Sequence, residues 1–502
     1  MNGPAVPATP EKTFSLGDLA AWQRDGENAF PVSRAERRHV FSTVTHSSLT
    51  DGSPPMLPGG LFVAVKARRD GHDFASNAFE NGARTALVER IPDNLTEQVR
   101  MGALHTLRPG DPLPSDGRPI LVLVSDAVGA LQACARWWRG QHATRVIALT
   151  GSVGKTTTKD LLTHILEQRG AVLATRGNYN NEYGLPFMLL DLTPEYRYAA
   201  LEIGISAVGE MESFAAIVRA DVGVVTRVAP AHLQFFGDVD TVEREKGRLV
   251  EALPAGGTAV LNQDDHRVSL MRERTRAKVV TFGRSASASV RAEHVEPLGF
   301  DGVRFELQRG GQSRSVVLPL TGAHFVTCAL AAAATALDEG ASWDEVVSGL
   351  ERPLENRRLV PLRLPNGVTI LDDTYNASPD AMRAALDVLG SCAGRRIAVL
   401  GDMFEMGGAG PPSHREIGAY APGRADALIA VGELGREIAT GARDAGMDDV
   451  VWAADPDSAA ERLTPRLAAG DFVLVKGSRG MRMDQIVTVL AGEHVSAGHG
   501  GH

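Results

Sequence analysis

The stretch Leu149–Leu161, LTGSVGKTTTKDL, holds residue types that grip a polyphosphate. Gly151 and Gly154 allow a tight turn around Ser152 and Val153, so that backbone N–H groups can face phosphate oxygens. Lys155 can reach the β- and γ-phosphates. Thr156 can place its hydroxyl on Mg²⁺, and Thr157 follows in the first turn of a helix whose positive end faces an anion. The spacing departs from the general pattern of glycine, four residues, then Gly-Lys-Ser/Thr. That pattern puts the first glycine at Leu149, whereas the glycine present is Gly151. A magnesium ion also needs carboxylate oxygen. Glu202, which closes the apolar run Tyr198–Gly204, is the candidate because that run is expected in the same sheet.

Placing these groups requires strands that end side by side. From Val146 the chain reads strand, glycine loop, helix, and strands are expected again over Tyr198–Gly204, Asp221–Val228 and Gly257–Asn262, with helices between them. This alternation predicts a parallel, doubly wound sheet. Val303–Leu320 reads as antiparallel strands about Gly310-Gly311, and Phe325–Glu339 as an alanine-rich helix. A further block carries VTILDDTY, RIAVLGDM, ADALIAVG, DVVWAAD and DFVLVKGSRG, the pattern of a Rossmann-like unit. Upstream, a short helix-like run over Ser15–Trp22, an apolar run and Gly turn within Leu61–Phe74, a helix-like FASNAFENGA, the run Thr85–Arg90 and helical spacing over Val128–Gln141 predict a small α/β unit.

The 502 residues suggest two to four domains at roughly 100–200 residues each. The expected fold class is α/β in three domains: 13–142, 143–352 with a mostly parallel phosphate-loop sheet, and 353–492, flanked by a disordered 1–12 and a flexible tail, 493–502. A net charge of −9 argues against a nucleic-acid partner. Cys134, Cys328 and Cys392 form no CxxC pair or disulfide framework, which suits a reducing cytoplasm. No basic-then-apolar start reads as a signal peptide and no uncharged apolar run approaches the roughly 18–20 residues of a membrane span, so membrane insertion is not expected.

TGSVGKTTTKD, TRGNYNNEYGLPFMLL, LEIGISAVGEM, APAHLQFFGDVDTVEREKGRL and AVLNQDD resemble the middle domain of the Mur ligases. LDDTYNASPDAMRAAL, AVLGDMFEMG, SHREIG and VLVKGSRGMRMDQIV resemble their C-terminal domain. In that family the loop is Gly-x-x-Gly-Lys-Thr/Ser, which matches the short spacing. The DDTYNASP and KGSR…RMD forms resemble the branch that adds D-alanyl-D-alanine to UDP-N-acetylmuramoyl-tripeptide in peptidoglycan synthesis.

The resemblance implies amide formation through an acyl phosphate made from ATP, in a cytoplasmic monomer. It implies two Mg²⁺ ions held by Thr156, Glu202, His232 and Lys246, the lysine as a carbamate formed with CO₂. Read alone, His232 is an unusual Mg²⁺ ligand and Lys246 a solvated helix residue. It also implies ATP contacts from Asn262, Asp372, Asp373, Tyr375 and Asn376, with Arg358 or Arg357 reaching the phosphates. Asn178, Asn180 and Asn181 are implied on the muramoyl-peptide side, and Lys476, Ser478 and Arg479 near the incoming dipeptide. For the uridine nucleotide the family carries Asp-Ser-Arg; here the aligned residues are His46-Ser47-Ser48, leaving Ser47 and Ser48 as candidates. Phe325 and Cys328 replace family asparagines near adenine, and Asn356-Arg357-Arg358 replaces Gly-Arg. Two other readings stay open on sequence: a Mur-ligase relative acting on a different carboxylate and amine, and a catalytically inactive nucleotide-binding protein.

Overall fold

The computed structural model describes residues 14–15, 40–41, 44–45 and 60–492, apart from 67–68, 109–110, 112–113, 115 and 355–358. Its architecture is the expected α/β class. A five-stranded sheet comes first, in the order Val44–Thr45, Gly60–Val63, Ala83–Val88, Ile120–Leu123, His105–Leu107, with every pairing parallel. A separate short pair joins Phe14–Ser15 to Val40–Phe41.

The middle sheet has nine strands. Arg145–Thr150, the strand feeding the phosphate loop, lies inside it between Tyr196–Glu202 and Val222–Val225. Ala171–Ala174 flanks Tyr196–Glu202. On the other side Val222–Val225 is followed by Thr258–Asn262, Lys278–Gly283, Val290–Pro297, Val303–Arg309 and Gln312–Leu318. Pairings are parallel as far as Val290–Pro297, and the last two are antiparallel. Gly310 and Gly311 both sit at positive φ (57° and 80°) in the connecting hairpin, as a two-residue turn between twisted strands demands.

The third sheet orders Val360–Arg363, Thr369–Asp373, Phe472–Lys476, Arg396–Gly401, Ala427–Val431 and Val450–Ala453, parallel except at the first strand. Among the described residues no helix is long and apolar enough to cross a membrane.

Sequence reading misses several strands, two at sheet edges and two inside the middle sheet. Ala171–Ala174, Lys278–Gly283, Val290–Pro297 and Val360–Arg363 are strands it did not single out. Val290–Pro297 buries only Val290 and Ala292, so its apolar run is broken. The helix expected over Ser15–Trp22 begins instead in the strand Phe14–Ser15, and its remainder lies outside the described residues, as do 1–12 and 493–502.

The helix Lys155–Leu166 buries Thr158, Leu161, Leu162, Ile165 and Leu166, an i, i+3/i+4 stripe that covers the sheet. Over it lies Phe325–Asp338, whose small alanines let the backbones approach. Trp343–Glu351 closes the other flank: a Cβ on Gly349 would sit 2.8 Å from Cα of Ile165. The apolar core continues from these helices into the third unit through Leu371, Met382, Leu386, Met403 and Met406. Because this contact is backbone against side chain, Gly349→Ala is expected to destabilise by about 1–3 kcal/mol through overpacking. Urea unfolding followed by circular dichroism checks this.

Candidate active site

The carboxyl ends of the middle strands converge. Glu202 pairs with Leu149, and Val225 with Thr150 and Leu261, so the phosphate loop, Glu202, Thr226 and Asn262 share one edge of the sheet. In parallel α/β sheets this is the edge where ligands bind.

The loop is braced from below. Thr226 Oγ1 donates to Val153 O at 2.6 Å. Ser152 Oγ lies 2.9 Å from both O and N of Ala229, and Ser152 N donates to Arg227 O at 2.8 Å. A Cβ on Gly151 would stand 1.9 Å from Thr226 Oγ1. Gly154 takes φ 87° at the helix N-cap, and no side chain caps that end. By contrast the helices at Ala127, Val239 and His266 are capped by Asp126, Asp238 and Asp265. The uncapped first-turn amides of Lys155–Thr157 therefore suit an anion.

Lys155 Nζ bends back to Gly151 O at 2.6 Å. Thr156 Oγ1 donates to Glu202 Oε2 at 3.2 Å. Glu202 is 2% exposed, and its other oxygen, Oε1, is buried without a hydrogen bond. Burial pushes the Glu202 carboxyl upward, against the pull of Lys159 and Lys155. Lys159 Nζ stands 3.9 Å from Oε1 and bonds Thr175 O.

Lys246 is not the solvated residue its charged neighbours suggest. It is 3% exposed on the helix Val239–Glu251, and among the described residues its ammonium makes no hydrogen bond or ion pair. Burial, then the charge of Lys155, holds its pKa well below the ordinary lysine value. His232 takes φ 54° before the short helix Leu233–Phe236. Its Nδ1 contacts Glu405 of the third unit. Burial lowers the His232 pKa, and Glu405 opposes the shift.

Asn262 is committed inside the fold: Nδ2 donates to Thr226 O at 2.8 Å and Oδ1 accepts from Asp264 N. Asn180 O accepts from Gly204 N, two residues beyond Glu202. Asn181 Oδ1 accepts from Gly184 N, and Asn178 is exposed.

A second group gathers on the third sheet. Lys476 is fully buried, with Nζ 2.6 Å from Asp373 Oδ2 and 2.7 Å from Asn376 O. Asp372 accepts from Thr374, and Asn376 Oδ1 from Ala377 N. The guanidinium of Arg479 lies over the ring of Tyr375, which is exposed. Ser478 Oγ accepts from Phe404 N at 2.8 Å, next to Glu405, so the segment Asp402–Gly407 links this group to His232. Ser47, Ser48, Arg357 and Arg358 lie outside the described residues. Sequence reasoning missed Thr226 and Glu405: neither belongs to a spacing pattern, although Glu405 lies within the quoted AVLGDMFEMG.

Residues 149–336 match the family model for the Mur ligase middle domain, and 357–479 that for the Mur ligase glutamate ligase domain. The UDP-N-acetylmuramoyl-tripeptide–D-alanyl-D-alanine ligase of Escherichia coli (strain K12) is 35% identical over 456 residues, spanning 89% of this chain and 94% of the relative. The chain belongs to the Mur ligase family. Another Mur ligase of the same description, from Mycobacterium bovis, is also 35% identical, over 91% of this chain and 94% of its own. Among solved Mur ligases, MurF from Acinetobacter baumannii superimposes with a TM-score of 0.79 at 30% identity, covering 95% of this chain and 98% of that one. MurF from Thermotoga maritima, in complex with ADP, gives 0.73 at 27% identity, covering 89% and 96%.

Adding one methyl group to the loop tests its role. Gly151→Ala must push Thr226 away or displace the loop, and shifts of about 1 Å in positioning groups cost on the order of 100-fold in rate. ADP affinity measured by calorimetry is expected to fall at least about tenfold, with the far-ultraviolet circular dichroism unchanged.

Proposed function

We propose that this chain is an ATP-dependent amide ligase that joins D-alanyl-D-alanine to UDP-N-acetylmuramoyl-tripeptide, a step in peptidoglycan precursor synthesis. The observation that carries the reading is full-length similarity to ligases of that name at 35% identity, together with a phosphate loop whose amides, lysine and adjacent carboxylate lie on one sheet edge. The tripeptide carboxylate attacks the γ-phosphorus of ATP, the bond to the β-phosphate oxygen breaks, and ADP leaves. The dipeptide amine then attacks the acyl phosphate carbon and loses its proton, and the tetrahedral intermediate expels inorganic phosphate to leave the amide. Such transfers depend on positioning and positive charge. In this reading the loop amides and Lys155 hold the transferred group, and Asp372, Asp373, Tyr375 and Asn376 frame the adenosine side with Arg358. Asn178, Asn180 and Asn181 face the muramoyl peptide, with Ser47 and Ser48 on its nucleotide. Ser478 and Arg479 serve the dipeptide. Lys476, bonded to Asp373, supports the wall behind them.

The residues present fit magnesium. Glu202 Oε1 is buried and accepts no hydrogen bond, beside the Thr156 hydroxyl on the other carboxylate oxygen. Among the described residues no three His, Cys, Asp or Glu side chains converge on a metal. That suits an ion that takes one or two protein oxygens and completes its shell with phosphate and water. Thr156 and Glu202 would hold one ion, and His232 with Lys246 the second. Bound there, magnesium neutralises phosphate charge.

The buried Lys246 amine favours its neutral form, whose lone pair adds to the carbon of CO₂, forms an N–C bond and releases a proton. The carbamate so formed supplies carboxylate oxygens where the chain otherwise has an ammonium. The cytoplasm, the source of ATP and nucleotide-linked precursors, is the compartment this reading implies, and the enzyme acts there as a monomer.

His46-Ser47-Ser48, in place of Asp-Ser-Arg, favours a second reading: the same chemistry on another carboxylate. Phosphate release with UDP-N-acetylmuramoyl-tripeptide, D-alanyl-D-alanine and ATP, with the pentapeptide identified by mass, is the expected result. Turnover only with another carboxylate and amine would select the second reading. Lys246→Ala is expected to abolish turnover, and a short carboxylic acid added to the assay to restore part of it. An unaffected variant would refute the carbamate.

A further inference from the structure

His232 and Glu405 face each other across the seam between the middle and third units. Both are non-glycine residues held at positive φ, 54° and 64°. Such conformations are uncommon for these residue types, and surrounding contacts must impose them. Here the contacts are reciprocal. The Glu405 carboxylate meets His232 Nδ1 as a charge contact without hydrogen-bond geometry, and Glu405 O accepts from Gln234 N at 3.3 Å. Gly407 gives the approach room: a Cβ there would lie 3.0 Å from Cα of Gln234. On the third unit Glu405 is fixed from behind, since Phe404 N is bonded to Ser478 Oγ and Met406 is buried in the shared core. A second pair, Arg227–Asp380 at 3.1 Å, crosses the same seam without touching His232.

The negative charge of a carboxylate against Nδ1 of a neutral imidazole favours the tautomer with the proton on Nδ1 and leaves the Nε2 lone pair free. We infer that Glu405 is a positioning residue which, when the third unit rests on the middle unit, fixes the tautomer and ring orientation of His232, so that the histidine is set as a ligand only in the docked arrangement. Docking is thereby coupled to assembly of the reaction site. This rests on the ligase reading for what His232 does, though not for how Glu405 holds it.

Glu405→Gly removes the carboxylate while easing the positive φ, so it preserves the fold. Glu405→Gln keeps an acceptor for Nδ1–H, and Asp380→Ala breaks the other pair. In long-range ¹H–¹⁵N spectra of histidine-labelled protein, with the His232 signal assigned by His232→Asn, the wild type and Glu405→Gln are expected to show the Nδ1–H tautomer. Glu405→Gly should shift towards Nε2–H. Its kcat is expected to fall about 10–100-fold, as loss of an outer-shell partner commonly does. The KM for ATP should stay within about twofold, Glu405→Gln should recover most of the rate, and Asp380→Ala should leave the tautomer unchanged. An unchanged tautomer in Glu405→Gly, or equal rate losses in Glu405→Gly and Asp380→Ala, would overturn the assignment. A wild type that made no pentapeptide would defeat the ligase reading, while the tautomer comparison would still decide the role of Glu405.

Discussion

Between Gly151 and the hydroxyl of Thr226 there is room for a hydrogen atom and little more. Much of the nucleotide edge follows from that closeness. Thr226 leaves the strand that pairs with the loop's own strand, and its hydroxyl holds Val153 O while its carbonyl holds Asn262. The loop is thus bonded to its neighbour rather than draped over it, and its amides are aimed before any anion arrives. Preorganisation of this kind gives fixed dipoles their strength in a site that excludes water.

Charge is arranged around the loop with few compensations. Glu202 is buried with one oxygen that accepts no hydrogen bond, Lys159 standing 3.9 Å from it, and among the described residues the buried Lys246 meets no carboxylate. Isolated ions inside a protein are costly unless paired or neutralised. In the third unit Lys476 and Asp373 are also buried and meet at 2.6 Å through Oδ2, while Asp373 Oδ1 stays without a hydrogen bond.

Much of this was legible in the chain. The loop, Glu202 and several buried strands of the middle sheet followed from apolar runs ending in small or charged residues, because parallel strands covered on both faces carry an unbroken apolar signal. Edge strands such as Ala171–Ala174 escaped because exposure interrupts that signal. Lys246 by itself reads as a helix-surface lysine between Glu245 and Gly247, and its burial depends on packing that no local pattern encodes. Thr226 and Glu405 act through partners 73 and 173 residues away, so neighbouring residues carry no trace of them.

The position of the loop strand inside its sheet also governs how the chain comes into being. Arg145–Thr150 is flanked by strands that begin at Tyr196 and Val222, and its helix is roofed by Phe325–Asp338. Parallel pairing cannot start locally, and loop-closure entropy must be met before distant contacts form. A ribosome that has released only the first phosphate-loop residues therefore holds a glycine-rich segment with no floor, no facing carboxylate and no roof. Competence to hold a nucleotide arrives late and together, after most of two units has emerged.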